Sequence, residues 1–231
     1  MYRATIVVFL TLFLQSLQAS ELNSSITHLE SAWAKLYYHS DDGQQKQAYP
    51  RLLEQATDLV KRYPAAAEPK IWLATIMATN AAFESSLTAL STLDKAREVL
   101  EESIRIDPKA LEGAAYVTLG PLYYMLPGWP VSFGDNDKAE QLLKASLQIN
   151  PNGIDANYFY ADFLLRQDRA AEAEVFFLQA IQLPVRKHQA FADMQLQNEA
   201  KSGLSYAQQK KSTAGKSRFQ SLFTTAAVQS D

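Results

Sequence analysis

The stretch YVTLGPLYYMLPGWPVSFGDNDKAEQLLKASLQINP, residues 116–151, decides the fold. Its opening carries Tyr116, Leu119, Gly120 and Tyr123 at helical spacing. Its close carries Ala139, Leu142, Leu143, Ser146 and Leu147 ahead of Pro151. Each end reads as one amphipathic helix, with a small residue where a neighbouring helix must come close. Between them lies a proline-, glycine- and aromatic-rich loop, residues 127–135, longer than two packed helices need.

The closing phrase recurs. Ala96, Val99, Leu100, Ser103 and Ile104 stand at the same offsets of zero, three, four, seven and eight, and so do Ala173, Phe176, Phe177, Ala180 and Ile181. Pro108, Pro151 and Pro184 follow the three copies, and Leu52, Ala56, Leu59 and Val60 before Pro64 make a weaker one. From Pro64 onward the proline-to-proline intervals are 44, 43 and 33 residues. A helix-pair repeat of the tetratricopeptide kind has a period of about 34 residues. Two units therefore carry extra residues, one set expected as a longer connection around residues 83–90 and the other in the 127–135 loop. The partner helices hold Trp72, then Tyr116 and Tyr123, then Tyr158, Tyr160, Ala161 and Leu164. The fold class expected is all-α: a TPR-like α-solenoid of about four antiparallel pairs, closed by a C-terminal helix over residues 188–206.

Helix starts follow from capping chemistry. Pro50 suits the first turn of the second helix, Asp137 with Glu140 fits a capping box, and Asp155 after Asn152-Gly153 is the expected cap of the next helix. A first helix is expected over residues 21–38, where Leu22, Ile26, Leu29, Trp33 and Leu36 share a stripe.

The chain resembles exported bacterial tetratricopeptide proteins along most of its length. The resemblance is carried by Tyr63-Pro64-Ala65 with Trp72, by Tyr116 to Gly120 with Tyr123-Tyr124, by Pro127-Gly128-Trp129-Pro130 with Phe133-Gly134-Asp135, and by Asn150 to Asp155 with Asn157 to Tyr160. It implies a helical-repeat scaffold and is distantly similar to the T component associated with TRAP transporters, which pairs with a solute-binding protein. That component is typically a lipoprotein, and this chain has no cysteine to carry a lipid.

Composition bounds the rest. The 231 residues are 47% hydrophobic and 20% charged, with a net charge of -3, so a packed core is expected and a nucleic-acid surface is not. Arg3, the apolar run from Ala4 to Leu14 and the small Ala19 read as a signal peptide over residues 1–19, cleaved near Ala19. The run falls short of the roughly 20 apolar residues a spanning helix needs. A periplasmic protein without a stable membrane anchor after cleavage is the expectation. Residues 20–206 are expected to form the repeat domain and residues 207–231 a C-terminal tail, either flexible or docked as a short helix through Phe219, Leu222 and Phe223.

No catalytic constellation is present: His28, His39 and His188 lack zinc spacing, and no nucleophile elbow or phosphate loop occurs. A metal site, a cofactor and an enzymatic role are therefore not expected. The surface candidates are Tyr123, Tyr124 and Asn157 on an aromatic-lined concave face, with Trp129 and Phe133 in the adjoining loop. Trp129 lies between Gly128 and Pro130, either as an anchor for a partner or as a plug in the longer unit. The expected function is protein–protein interaction with a periplasmic partner. The alternative is a transport accessory that binds a small lipophilic or acidic solute, or docks a solute-binding protein.

Overall fold

The computed structural model describes the backbone of residues 2–227 and the side chains of residues 19–210. Among these there are nine α-helices and no strand: α1 Tyr2–His39, α2 Asp42–Arg62, α3 Glu68–Asn80, α4 Ser86–Ile106, α5 Ala114–Met125, α6 Asn136–Ile149, α7 Ile154–Arg166, α8 Ala170–Gln182 and α9 Ala190–Ala227. The all-α class is as expected, with antiparallel pairs α1/α2, α3/α4, α5/α6 and α7/α8 followed by α9. The chain divides into two compact units, the first running to Leu111 and the second starting at Glu112. The side chains of the expected signal peptide up to Gln18, and those of Phe219, Leu222 and Phe223, lie outside the described residues. Among the described residues no helix is long and apolar enough to cross a membrane.

The recurring phrase marks the core. Ala96, Ala139 and Ala173 at its first position are fully enclosed, as are Leu100, Leu143 and Phe177 four residues on and Ser103, Ser146 and Ala180 seven residues on. Those three positions fall on one line down a helix, so they face the partner while the third and eighth offsets flank the seam. Ser103 satisfies itself inside the helix, its hydroxyl donating to the Leu100 carbonyl at 2.7 Å. Gly120 lets α5 approach α6, because a Cβ there would stand 2.7 Å from Leu143 Cγ. Each proline follows its helix at a fixed distance: α2, α4, α6 and α8 end at Arg62, Ile106, Ile149 and Gln182, two residues before Pro64, Pro108, Pro151 and Pro184. Proline disfavours helical geometry in the residue before it, which suits it to the stop at these four positions.

Helix starts depart from expectation. The second helix begins at Asp42, not near Pro50: Asp41 and Gln44 form a reciprocal capping box, and Pro50 is carried inside α2. The cap of α6 is Asp135, whose carboxylate accepts from Lys138 N at 3.0 Å, while Asp137 sits in the first turn. The cap position of α7 is Gly153, with Asp155 inside the helix. Much of the extra length expected as a connection around residues 83–90 is helix instead. Ser85 caps α4, which reaches 21 residues against 14 in α6.

In the first unit, Ile26, Leu29, Tyr49, Leu52, Ala56, Leu59 and Ile76 form a core on which Trp33, Trp72 and Phe83 pack. In the second unit α9 is fastened at its start. Arg186 pairs with Asp193 at 2.7 Å and with Asp155 at 3.5 Å, and Gln197 Nε2 donates to the carbonyls of Ala180, Ile181 and Leu183 at the end of α8. Terminal helix carbonyls have no partner within their own helix, so one amide from α9 both closes α8 and sets its own register.

Candidate functional site

The second unit holds the candidate surface, starting with the 127–135 loop. Pro127 O accepts from Gly134 N at 3.0 Å, Gly128 O from Val131 N at 3.1 Å and Ser132 N at 3.3 Å, and Tyr123 O from Asp135 N at 2.8 Å. A Cβ on Gly134 would lie 2.0 Å from Leu126 O, so the close approach of the two loop arms requires glycine there. Phe133 turns back onto Tyr123, rings 5.2 Å apart and nearly perpendicular. Tyr123 is itself buried. This half of the loop therefore plugs the longer unit.

Trp129 does the opposite. It is 90% exposed, and Val131 and Met125 beside it in sequence are also exposed. No charged residue occurs from Met125 to Gly134. An uncharged segment tied back by its own backbone thus holds an indole out in solvent.

The loop's end abuts α7, where Asn136 Nδ2 donates to Gln167 Oε1 at 3.3 Å. Next to it, α7 presents Tyr158, Asp162 and Arg166 one turn apart. The Tyr124 hydroxyl on α5 donates to Asp162 Oδ2 at 2.7 Å, and Arg166 Nε donates to the same oxygen at 2.9 Å. The guanidinium lies over the Tyr124 ring, 5.6 Å from its centre. Burial, reinforced by the Asp162 charge, drives the Tyr124 hydroxyl far above the usual phenol range. On α9, Glu199 is half-buried and accepts a hydrogen bond from Tyr158. Burial pushes the Glu199 carboxyl up, the Tyr158 hydroxyl draws it down, and the Asp162 carboxylate adds a further upward push.

The sequence candidates therefore separate. Tyr124 belongs to this face, Trp129 projects from the loop, and Tyr123 and Phe133 pack against each other. Asn157 does not line a surface. It is fully buried, and its Nδ2 donates to the Pro151 and Gly153 carbonyls at 2.9 and 2.8 Å, clamping the turn before α7. Asp162, Arg166 and Glu199 were missed, since the face they form with Tyr124 depends on packing between α5, α7 and α9. The i, i+4 spacing of Tyr158, Asp162 and Arg166 was the one sequence signal for them. Glu140, Lys144, Arg169 and Glu172 form a second polar network. Arg169 bonds Glu140 at 2.8 Å and Glu172 at 2.7 Å, joining α6 to α8, and its guanidinium holds the Glu140 carboxyl down at about 2. All of its members are satisfied, so it serves as a brace.

Residues 131–193 match the tetratricopeptide repeat family model, a span that runs from the loop through α6, α7 and α8. The thermophilic TPR protein TTC0263 of Thermus thermophilus has a similar structure, with a TM-score of 0.53 and 21% identity, covering 84% of this chain and 96% of that one. The fold is of the tetratricopeptide type. MamA is similar at lower agreement, with a TM-score of 0.42 and 17% identity over 77% of this chain and 99% of that one. Yeast Tom70 gives a TM-score of 0.43 at 18% identity, covering 80% of this chain and 42% of its own. No curated protein matches the sequence significantly.

Proposed function

We propose that the protein is a non-enzymatic binding module that recognises a protein partner through the Trp129 loop and the adjoining α5–α7–α9 face of the second unit. The observation that carries this reading is the 90% exposure of Trp129 on a loop whose own backbone holds it in place. A large rigid aromatic kept in water contributes nothing to the core. It yields binding energy when a partner pocket removes it from solvent, and little ordering entropy is lost because the loop is already set. Supporting it, the partly buried rings of Tyr124 and Tyr158, their hydroxyls tied to Asp162 and Glu199, lie on the neighbouring helices as preset aromatic surface suited to polypeptide contacts. The location we propose is the periplasm, on the strength of Arg3 and the apolar run to Leu14.

Native mass spectrometry of the mature protein, purified gently from its own source, tests the reading. A polypeptide retained by the wild type and lost from Trp129→Ala, with melting unchanged, is the expected result. Retention of a small molecule in place of a polypeptide, or an unaltered complex in Trp129→Ala, would overturn it.

A further inference from the structure

Among the described residues, the α5–α7–α9 face has one carboxylate more than its own cations answer. Asp162 is met by the Tyr124 hydroxyl and by Arg166. Glu199 receives the Tyr158 hydroxyl and, among the described residues, no basic side chain. Of the cations on its own helix, the two whose side chains are described are engaged elsewhere: Lys201 donates to Asn198 Oδ1 at 3.2 Å, and Lys210 pairs with Asp168 beyond the end of α7. The face is therefore a half-buried negative charge set among aromatic rings, with the charge-free loop at one end. A carboxylate removed from water is costly until a cation meets it, and in that setting the attraction is stronger than at an open surface. The Tyr158 ring adds to the attraction for the same cation, the Tyr124 ring being already met by Arg166.

We propose that this face takes an extended segment of a partner protein carrying a lysine or arginine, whose cationic group sits against Glu199 beside the Tyr158 ring. The proposal rests on the protein-binding reading above and adds the chemistry of the partner. Charge complementarity selects the occupant. An acidic segment would meet Glu199 with nothing to balance it, and a purely apolar one would seal an unanswered carboxylate under the interface.

Glu199→Gln keeps the shape and the hydrogen bond from Tyr158 while removing the charge. The probes are two short fluorescein-labelled peptides of one scaffold, with lysine at every third position in one and glutamate at the same positions in the other. Fluorescence anisotropy reads their binding to the intact mature protein. The lysine peptide is expected to bind, to weaken about tenfold or more in Glu199→Gln, and to weaken as salt rises. Glu199→Gln itself is expected to melt at the wild-type temperature or above it, because a carboxylate held for a ligand is a burden on the empty fold. Equal binding of the two peptides, unchanged lysine-peptide binding in Glu199→Gln, or a melting temperature lowered by that substitution would each overturn the proposal. Trp129→Ala in the native complex separates this from the parent reading. If the complex depends on Trp129 while the peptides fail to discriminate, the docking loop stands and the cation proposal falls. If the lysine peptide depends on Glu199 while the complex ignores Trp129, the cation proposal stands and the loop assignment falls.

Discussion

Both units gather aromatic rings on their first helices, and the two gatherings are built differently. In the first unit the rings serve one another. Trp33 stacks on Tyr37 with centroids 5.1 Å apart, leans on Trp72 at 5.6 Å, and gives its indole N–H to Thr79 Oγ1 at 3.2 Å. Beneath them Tyr49 is fully buried, 5.7 Å from Phe83. In the second unit the phenol tips turn to carboxylates on neighbouring helices, Tyr124 to Asp162 and Tyr158 to Glu199. Aromatic enrichment alone therefore does not mark a site in a helical repeat. What separates a core from a surface is where the polar tip goes and whether its partner's charge is balanced.

The sharpest way to break this comparison is to cut a ring from each side. Tyr49→Ala removes a fully enclosed ring from the first unit and is expected to cost about 3–5 kcal/mol, the range for large aromatic truncations. Denaturant unfolding followed by far-UV circular dichroism measures it. Tyr124→Phe keeps the ring and deletes one hydrogen bond to Asp162, which retains Arg166, so the expected cost is about 1–2 kcal/mol. Were the two costs equal, the distinction between a packed cluster and a polar face would fail.

Acidity tests the second unit in the opposite direction. The folded carboxyl of Glu199 lies above its ordinary value of 4.5, so the folded chain holds a proton that the unfolded chain releases. Stability from this group is lost as pH rises from that ordinary value through the folded one. Glu199→Gln has no such loss, so its melting temperature is expected to pull ahead of the wild type as pH is raised through that window. Parallel melting curves for the two proteins at acidic and neutral pH would show that Glu199 is not held as an unbalanced charge.

The repeat architecture was legible because it depends on spacing. The residues at offsets zero, four and seven of the recurring phrase are fully enclosed in all three copies, and the proline that closes each copy follows its helix end as read. Helix starts were less legible because oxygen-bearing residues crowd within a few positions, Asp135 with Asn136 and Asp137, or Asn152 with Asp155. The winner there is set by where the chain arrives in three dimensions. The position of the long loop was readable, but its division into a plug and a projection was not, since Trp129 and Phe133 carry the same apolar signature. Asn157 illustrates the converse. A polar residue beside tyrosines reads as a surface group, yet its amide is spent inside on the turn at Pro151 and Gly153. Glu199 and Asp162 lie 37 positions apart, and only the packing of α9 along α7 brings them to one face.

The smallest expected effect is the most telling. Trp129→Ala removes the larger of the two loop aromatics, and size alone would make it the more damaging change. Its exposure reverses that ranking, because a side chain already in water has no transfer energy to lose. The expected change in stability is within about 0.5 kcal/mol, as for surface substitutions generally. Phe133→Ala, which empties the space against Tyr123, should lower the melting temperature measurably in the same assay. If instead Trp129→Ala destabilised the fold more than Phe133→Ala, the indole would be a structural plug, and the protein-binding assignment would lose the observation on which it stands.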